Sequence, residues 1–161
     1  MQKIITHLWY DDQAEEAAEF YTSLFEDSRI VSIARYPESA VEVSGKPAGS
    51  VMTVLFELAG QQYIALNGGS DFKFNEAISL LVNCDTQAEI DKLWSALTEE
   101  GEEGPCGWLK DKYGLSWQIT PTKLNNMLQG EDPEADNRVM TAMLDMKKID
   151  IAALERAQRG E

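Results

Sequence analysis

Two stretches of the chain carry the same signature. Asp11-Asp-Gln-Ala-Glu15 lies over Asp85-Thr-Gln-Ala-Glu89, and Phe20 then falls on Trp94. Each follows a strand-like run and opens an amphipathic helix. A second echo lies downstream. Phe56-Glu-Leu-Ala-Gly60-Gln-Gln-Tyr-Ile-Ala-Leu66 matches the hairpin within Cys106–Thr120, with Gly60 on Gly114, Glu57 on Asp111 and Tyr63 on Trp117. A duplicated unit constrains the fold strongly, because both copies must bury their apolar faces in the same way. The chain reads as one βαβββ unit written twice, an α+β fold with modules at residues 1–70 and 76–121.

In the first module, Lys3–Tyr10 reads as a strand with Ile5, His7 and Trp9 on one face. Asp12-x-x-Glu15 predicts a capping box, and the helix after it buries Ala14, Ala17, Ala18, Tyr21, Leu24 and Phe25. Arg29–Tyr36 is a strand, and Pro37–Gly49 is a loop punctuated by Gly45, Pro47 and Gly49. Ser50–Leu58 and Gln61–Asn67 form a hairpin.

The second module repeats the order. Ala77–Asn83 is a strand, Thr86-x-x-Glu89 a capping box, and Ile90, Leu93, Trp94 and Leu97 a buried stripe. The acidic stretch Glu99–Pro105 reads as a solvated loop. Trp108 and Leu109 end a strand, Asp111–Gly114 turns the chain, and Leu115–Thr120 returns. Leu115, Trp117 and Ile119 then share an apolar face, and Ser116, Gln118 and Thr120 a polar one.

Residues 122–161 fit neither repeat and read as a helical extension of the same domain. Thr122 caps a short helix through Leu128, and Asp132-Pro133 opens another with Val139, Met140, Met143 and Leu144 as its apolar stripe. Asp150 caps Ile151–Arg159, with Gly160 as the stop.

Charge narrows the function. Lys+Arg number 14 against 28 Asp+Glu, a net charge of −14. Phosphate neutralisation needs a basic patch, so neither nucleic acid nor an anionic membrane is an expected partner. Two cysteines, Cys84 and Cys106, lack zinc-site spacing and read as free thiols of a reducing compartment. With no signal-peptide apolar region and no apolar run long enough to span a bilayer, the cytoplasm is the expected location.

The runs His7-Leu-Trp-Tyr, Glu16-Ala-Ala-Glu-Phe-Tyr21, Phe72-Lys-Phe-Asn-Glu-Ala-Ile-Ser79, Gly107-Trp-Leu-Lys-Asp-Lys-Tyr-Gly114 and Ser116-Trp-Gln118 resemble the PhnB-like family. Met146-Lys-Lys-Ile-Asp-Ile-Ala-Ala-Leu154 is similar to that family's ending. The family is a branch of the glyoxalase/bleomycin resistance/dioxygenase (vicinal oxygen chelate) superfamily. The resemblance implies two modules whose sheets curl into open cups, usually in a homodimer. Members often carry the name 3-demethylubiquinone-9 3-methyltransferase. A methyltransferase using S-adenosylmethionine normally needs a Gly-rich turn between strand and helix. The pair Gly68-Gly69 precedes a linker instead.

The superfamily usually holds a divalent metal on His and Glu side chains of the first and last strands of each module. Carried over, those positions fall at His7, Ile64, Ser79 and Gln118. One imidazole and one amide fall short of the three or four ligands such sites need, so neither a metal nor a cofactor is expected. The expected ligand-binding residues are His7, Trp9, Ser79 and Gln118, with no catalytic residue assigned. Cys106 reads as a buried, inert thiol rather than a reactive one. The resemblance thus implies a metal-poor cup that binds a small, partly apolar molecule. The alternative it leaves open is an enzyme, either a metal-assisted lyase, isomerase or dioxygenase or the methyltransferase of the family name.

Overall fold

Each repeat builds a four-stranded mixed sheet with one main helix packed on it. The computed structural model describes residues 1–161, which divide into two units, Met1–Phe74 and Asn75–Glu161. In the first unit the sheet order is β1 (Thr6–Tyr10), β4 (Gln61–Asn67), β3 (Val51–Leu58), β2 (Arg29–Arg35). The pair β1–β4 is parallel and the others antiparallel. Helix α1 (Ala14–Leu24) lies against β3 and β4.

The strands alternate as a half-buried sheet must. Leu8, Tyr10, Val54, Phe56, Tyr63 and Ala65 are buried, and so are Ala14, Ala17, Ala18 and Tyr21 of α1. Three alanines on one helical face let the backbone come close to the sheet. Tyr10 Oη and Tyr21 Oη then meet at 3.1 Å inside the core, where burial would otherwise strand both hydroxyls.

Two expectations for this unit need correction. The Asp12–Glu15 capping box does not form. Gln13 occupies the cap position without a side-chain bond, and Asn67 Oδ1 accepts from Ala14 N at 2.8 Å. The parallel register sets Tyr10 opposite Asn67, so the sheet itself delivers an amide to the helix start. Residues 37–49 are also not wholly irregular. They hold a 3-10 turn, Glu38–Ala40, and a short helix α2, Val41–Ser44, stopped by Gly45 at φ 68°.

The second unit has the sheet order β5 (Ser79–Cys84), β8 (Ser116–Pro121), β7 (Trp108–Lys110), β6 (Glu102–Glu103), with β5–β8 parallel. Helix α3 (Gln87–Thr98) buries Ile90, Leu93, Trp94 and Leu97. Here the Thr86 half of the expected box forms, and the Glu89 carboxylate reaches back one residue further than the cap. Thr86 Oγ1 accepts from Glu89 N at 3.2 Å, and Glu89 Oε2 accepts from Asp85 N at 2.9 Å.

The acidic stretch is a strand edge rather than a solvated loop. Glu102 pairs with Lys110 and Glu103 with Leu109. Alternation sends Glu103 to the helix side, where its carboxylate accepts from Trp94 Nε1 at 2.8 Å. The β7–β8 turn is built on buried Asp111. Its Oδ1 accepts from Tyr113 N at 2.9 Å and Leu115 N at 3.1 Å, and its Oδ2 from Trp117 Nε1 at 2.9 Å.

The extension belongs to this second unit. Helices α4 (Leu124–Leu128), α5 (Pro133–Leu144) and α6 (Ile151–Arg159) share a small core of Met127, Val139, Ile149 and Leu154. Asp132 and Asp150 cap α5 and α6 as expected, but Lys123, not Thr122, precedes α4. On α5, Ala135 and Val139 face inward, whereas Met140 (38% exposed) and Leu144 (61% exposed) face out. The arm between α5 and α6 is tied to the sheet and to α3. Cys106 N donates to Met146 O and Gly107 N to Lys147 O, both at 2.8 Å. The Gln87 amide donates to Ile149 O at 2.9 Å and accepts from Ile151 N at 2.8 Å. Gly107, at φ 84°, admits no side chain, since a Cβ there would stand 2.8 Å from Ile119 O and 3.1 Å from Ile149 Cγ1.

Candidate functional site

Each sheet has a face turned away from its main helix, and the expected site residues all lie on those faces. In the first unit, Ser32, Leu55, Ile64 and His7 form one cross-strand row, and Ala34, Thr53, Leu66 and Trp9 the next. His7 is exposed and stands beside Ile64. Trp9 is held rather than loose. Its Nε1 donates to Gly69 O at 2.8 Å, and its ring meets Phe72 edge-on with centroids 4.9 Å apart. The ring also lies on Gly68, where a Cβ would stand 2.3 Å from it. The Gly68-Gly69 pair therefore serves Trp9.

In the second unit, Ser79 and Gln118 come together, with Gln118 Nε2 donating to Ser79 Oγ at 2.9 Å. Register then gives two rows on the same face. Glu102, Lys110, Ser116 and Ser79 form one, and Trp108, Gln118 and Leu81 the other.

Beside these rows is a cavity of about 430 Å³, lined by Glu76, Trp108, Lys110, Ser116 and the Glu102–Pro105 edge among others. Lys110 pairs with Glu76. The Glu76 carboxylate, by hydrogen bond and by charge, raises the Lys110 pKa, with Glu102 adding to it. Ser116 is 1% exposed, and its Oγ is a buried side-chain oxygen with no hydrogen-bond partner. Such a hydroxyl forfeits about 1–3 kcal/mol relative to a satisfied one.

None of His7, Trp9, Ser79 and Gln118 lines this cavity. Sequence alternation placed Ser116 on the polar face, but not its missing partner. In sequence Trp108 and Leu109 read as the end of a strand, which in the structure runs on to Lys110. The place of Trp108 and Lys110 beside Gln118 and Ser116 comes from the β7–β8 register.

The thiols differ from one another. Cys84 is buried, and burial first, then the charges of Glu89 and Asp85, push it up to about 12. Cys106 is not the buried thiol expected. It is half-buried, with φ 57°, in the turn tied to the extension.

The donor set does not fit a divalent metal. His7 stands beside Ile64 in its unit, Ser79 is bonded to Gln118 in the other, and no three His, Cys, Asp or Glu side chains are placed to hold a metal ion together. No helix is long and apolar enough to cross a membrane.

Comparison with known proteins places these features. The family model described as 3-demethylubiquinone-9 3-methyltransferase matches residues 2–120. Among solved structures, a Bacillus cereus PhnB protein described by the same methyltransferase name is 40% identical, with a TM-score of 0.65. The match covers 74% of this chain and 99% of that one. A Pseudomonas aeruginosa protein is similar at 18% identity and TM-score 0.59, over 75% of this chain and 98% of that one. The fosfomycin resistance protein FosX of Listeria monocytogenes, solved with Mn(II) and a dihydroxypropylphosphonic acid, is similar at 13% identity and TM-score 0.53. That match covers 80% of this chain and all of the other, and these last two likenesses speak for the fold alone. No curated protein matches the chain. The family match stops at residue 120, so α4–α6 and the run Met146–Leu154 lie beyond it. With a glyoxalase-type fold, a match over most of its length and a 40% identical relative, the chain belongs to the PhnB-like family that bears the 3-demethylubiquinone-9 3-methyltransferase name.

Proposed function

We propose that this chain binds a small, partly apolar molecule on its open sheet faces, without a resident divalent metal, and works as a cytoplasmic homodimer. The observation that carries this reading is the 430 Å³ cavity of the second unit, with an unpartnered Ser116 hydroxyl in its wall. Apolar walls with a few convergent polar groups are the usual make-up of a small-molecule site. Trp108 and Pro105 supply the first, and Ser116 and the Lys110–Glu76 pair the second. The immobilised Trp9 beside His7 gives the first unit a comparable aromatic surface. Exposed Ile4 and Ile78 next to the edge strands β1 and β5 favour a covering second chain.

Methyl transfer from S-adenosylmethionine is the weaker reading. The one Gly-Gly pair that ends a strand is committed to Trp9, and it leads into no helix. Fragment screening by protein NMR tests the proposal. The expected result is that bound fragments shift the resonances of Trp108, Lys110 and Ser116. Fragments that cluster elsewhere, or bind nowhere, would overturn it.

A further inference from the structure

We propose that the cavity of the second unit is a site for an organic cation, a molecule carrying a protonated amine on an aromatic or aliphatic body. This rests on the small-molecule reading above and adds the chemical class.

Three observations point the same way. First, Ser116 lines the cavity and its Oγ is buried without a partner, so a ligand N–H that reaches it gains an acceptor that no other contact uses. Second, the charges around it are unequal. Glu103 is turned to Trp94 Nε1, with Lys147 4.0 Å from its other oxygen. That leaves Glu76 and Glu102 against Lys110 alone, and Lys110 is already paired with Glu76. The uncompensated carboxylate, Glu102, lies in the same cross-strand row as Ser116, with Lys110 between them. Third, Trp108 forms a wall of the same cavity, and an indole face is the aromatic surface most attractive to a cation. The net charge of −14 reinforces this by drawing cations toward the protein and repelling anions.

The test uses three probes of one shape and different charge: 2-phenylethylammonium, 2-phenylethanol and phenylacetate. Each is titrated into the full-length, isotope-labelled chain while the Trp108 indole and Ser116 amide resonances are followed. The ammonium should bind about ten-fold more tightly than the alcohol, and phenylacetate most weakly. Ser116→Ala should weaken the ammonium several-fold. Glu102→Gln, a change at an exposed strand edge that leaves the core untouched, should abolish most of the preference for ammonium over alcohol. Equal binding of ammonium and alcohol, or tightest binding of phenylacetate, would overturn the cation class and leave the small-molecule reading standing. If none of the three moves the Trp108 indole at millimolar concentration, the cavity is not a ligand site, and both fall.

Discussion

The side-chain amide of Gln118 donates to Ser79 Oγ at 2.9 Å, joining the last strand of the second module to its first. The bond orients both polar groups on the open face, with Gln118 in the same cross-strand row as Trp108 and Ser79 in the next.

Replacing Gln118 by Leu should therefore weaken ligand binding while leaving the fold nearly intact. The residue is half-buried on the open face, and only one side-chain hydrogen bond is lost, about 0.5–1.5 kcal/mol. Denaturant unfolding alongside a binding titration separates the two effects. A loss of stability beyond that range would mean that the Ser79–Gln118 pair is structural.

Trp117→Ala should behave in the opposite way. Trp117 is 1% exposed, faces α3 and donates to Asp111 Oδ2, so truncation should cost about 3–5 kcal/mol in lost burial and the cavity left behind. Trp117→Phe keeps most of the volume but removes the donor to a buried carboxylate, at about 1–3 kcal/mol. Chemical denaturation of the two variants measures both. Near-equal losses would show that the indole–carboxylate bond, rather than packing, holds the turn.

Gly68→Ala should change the fluorescence of Trp9 without unfolding the first unit. A Cβ at that position would lie 2.3 Å from the indole, so the ring must leave its place between Gly68 and Phe72. The difference in emission between the wild type and Gly68→Ala, in which the other three tryptophans are common to both, reads this directly. An unaltered spectrum would show that the ring is not held against Gly68.

No binding of S-adenosylmethionine is expected, because the Gly68-Gly69 turn serves Trp9 instead of a cofactor. Calorimetric titration with the cofactor and with S-adenosylhomocysteine checks this. A micromolar dissociation constant for either would restore the methyltransferase reading.

The repeat made most of the fold legible, since the apolar alternation around Trp117 and the α3 stripe depend only on local period. What stayed hidden was set by pairing across the sheet. Asn67 caps α1 because the β1–β4 register carries it there, which no spacing around Asp12 could show. Glu103 is a core-side acceptor because Trp94 reaches it from α3. Met140 and Leu144 match a helical period, yet the arm carrying Ile149 packs against the other side of α5, beside Val139. The same holds for the site. His7, Trp9, Ser79 and Gln118 could be placed on faces, but the cavity is framed by Glu76, Lys110 and Ser116, which meet only through register and an ion pair.

The central claim, a small molecule held without a metal, is tested most directly by native mass spectrometry of the protein isolated from metal-supplemented cells, before and after chelator treatment. The expected spectrum shows an organic adduct that survives chelation and only substoichiometric divalent metal. One equivalent of a divalent metal per chain, lost on chelation and abolished by His7→Ala, would contradict it.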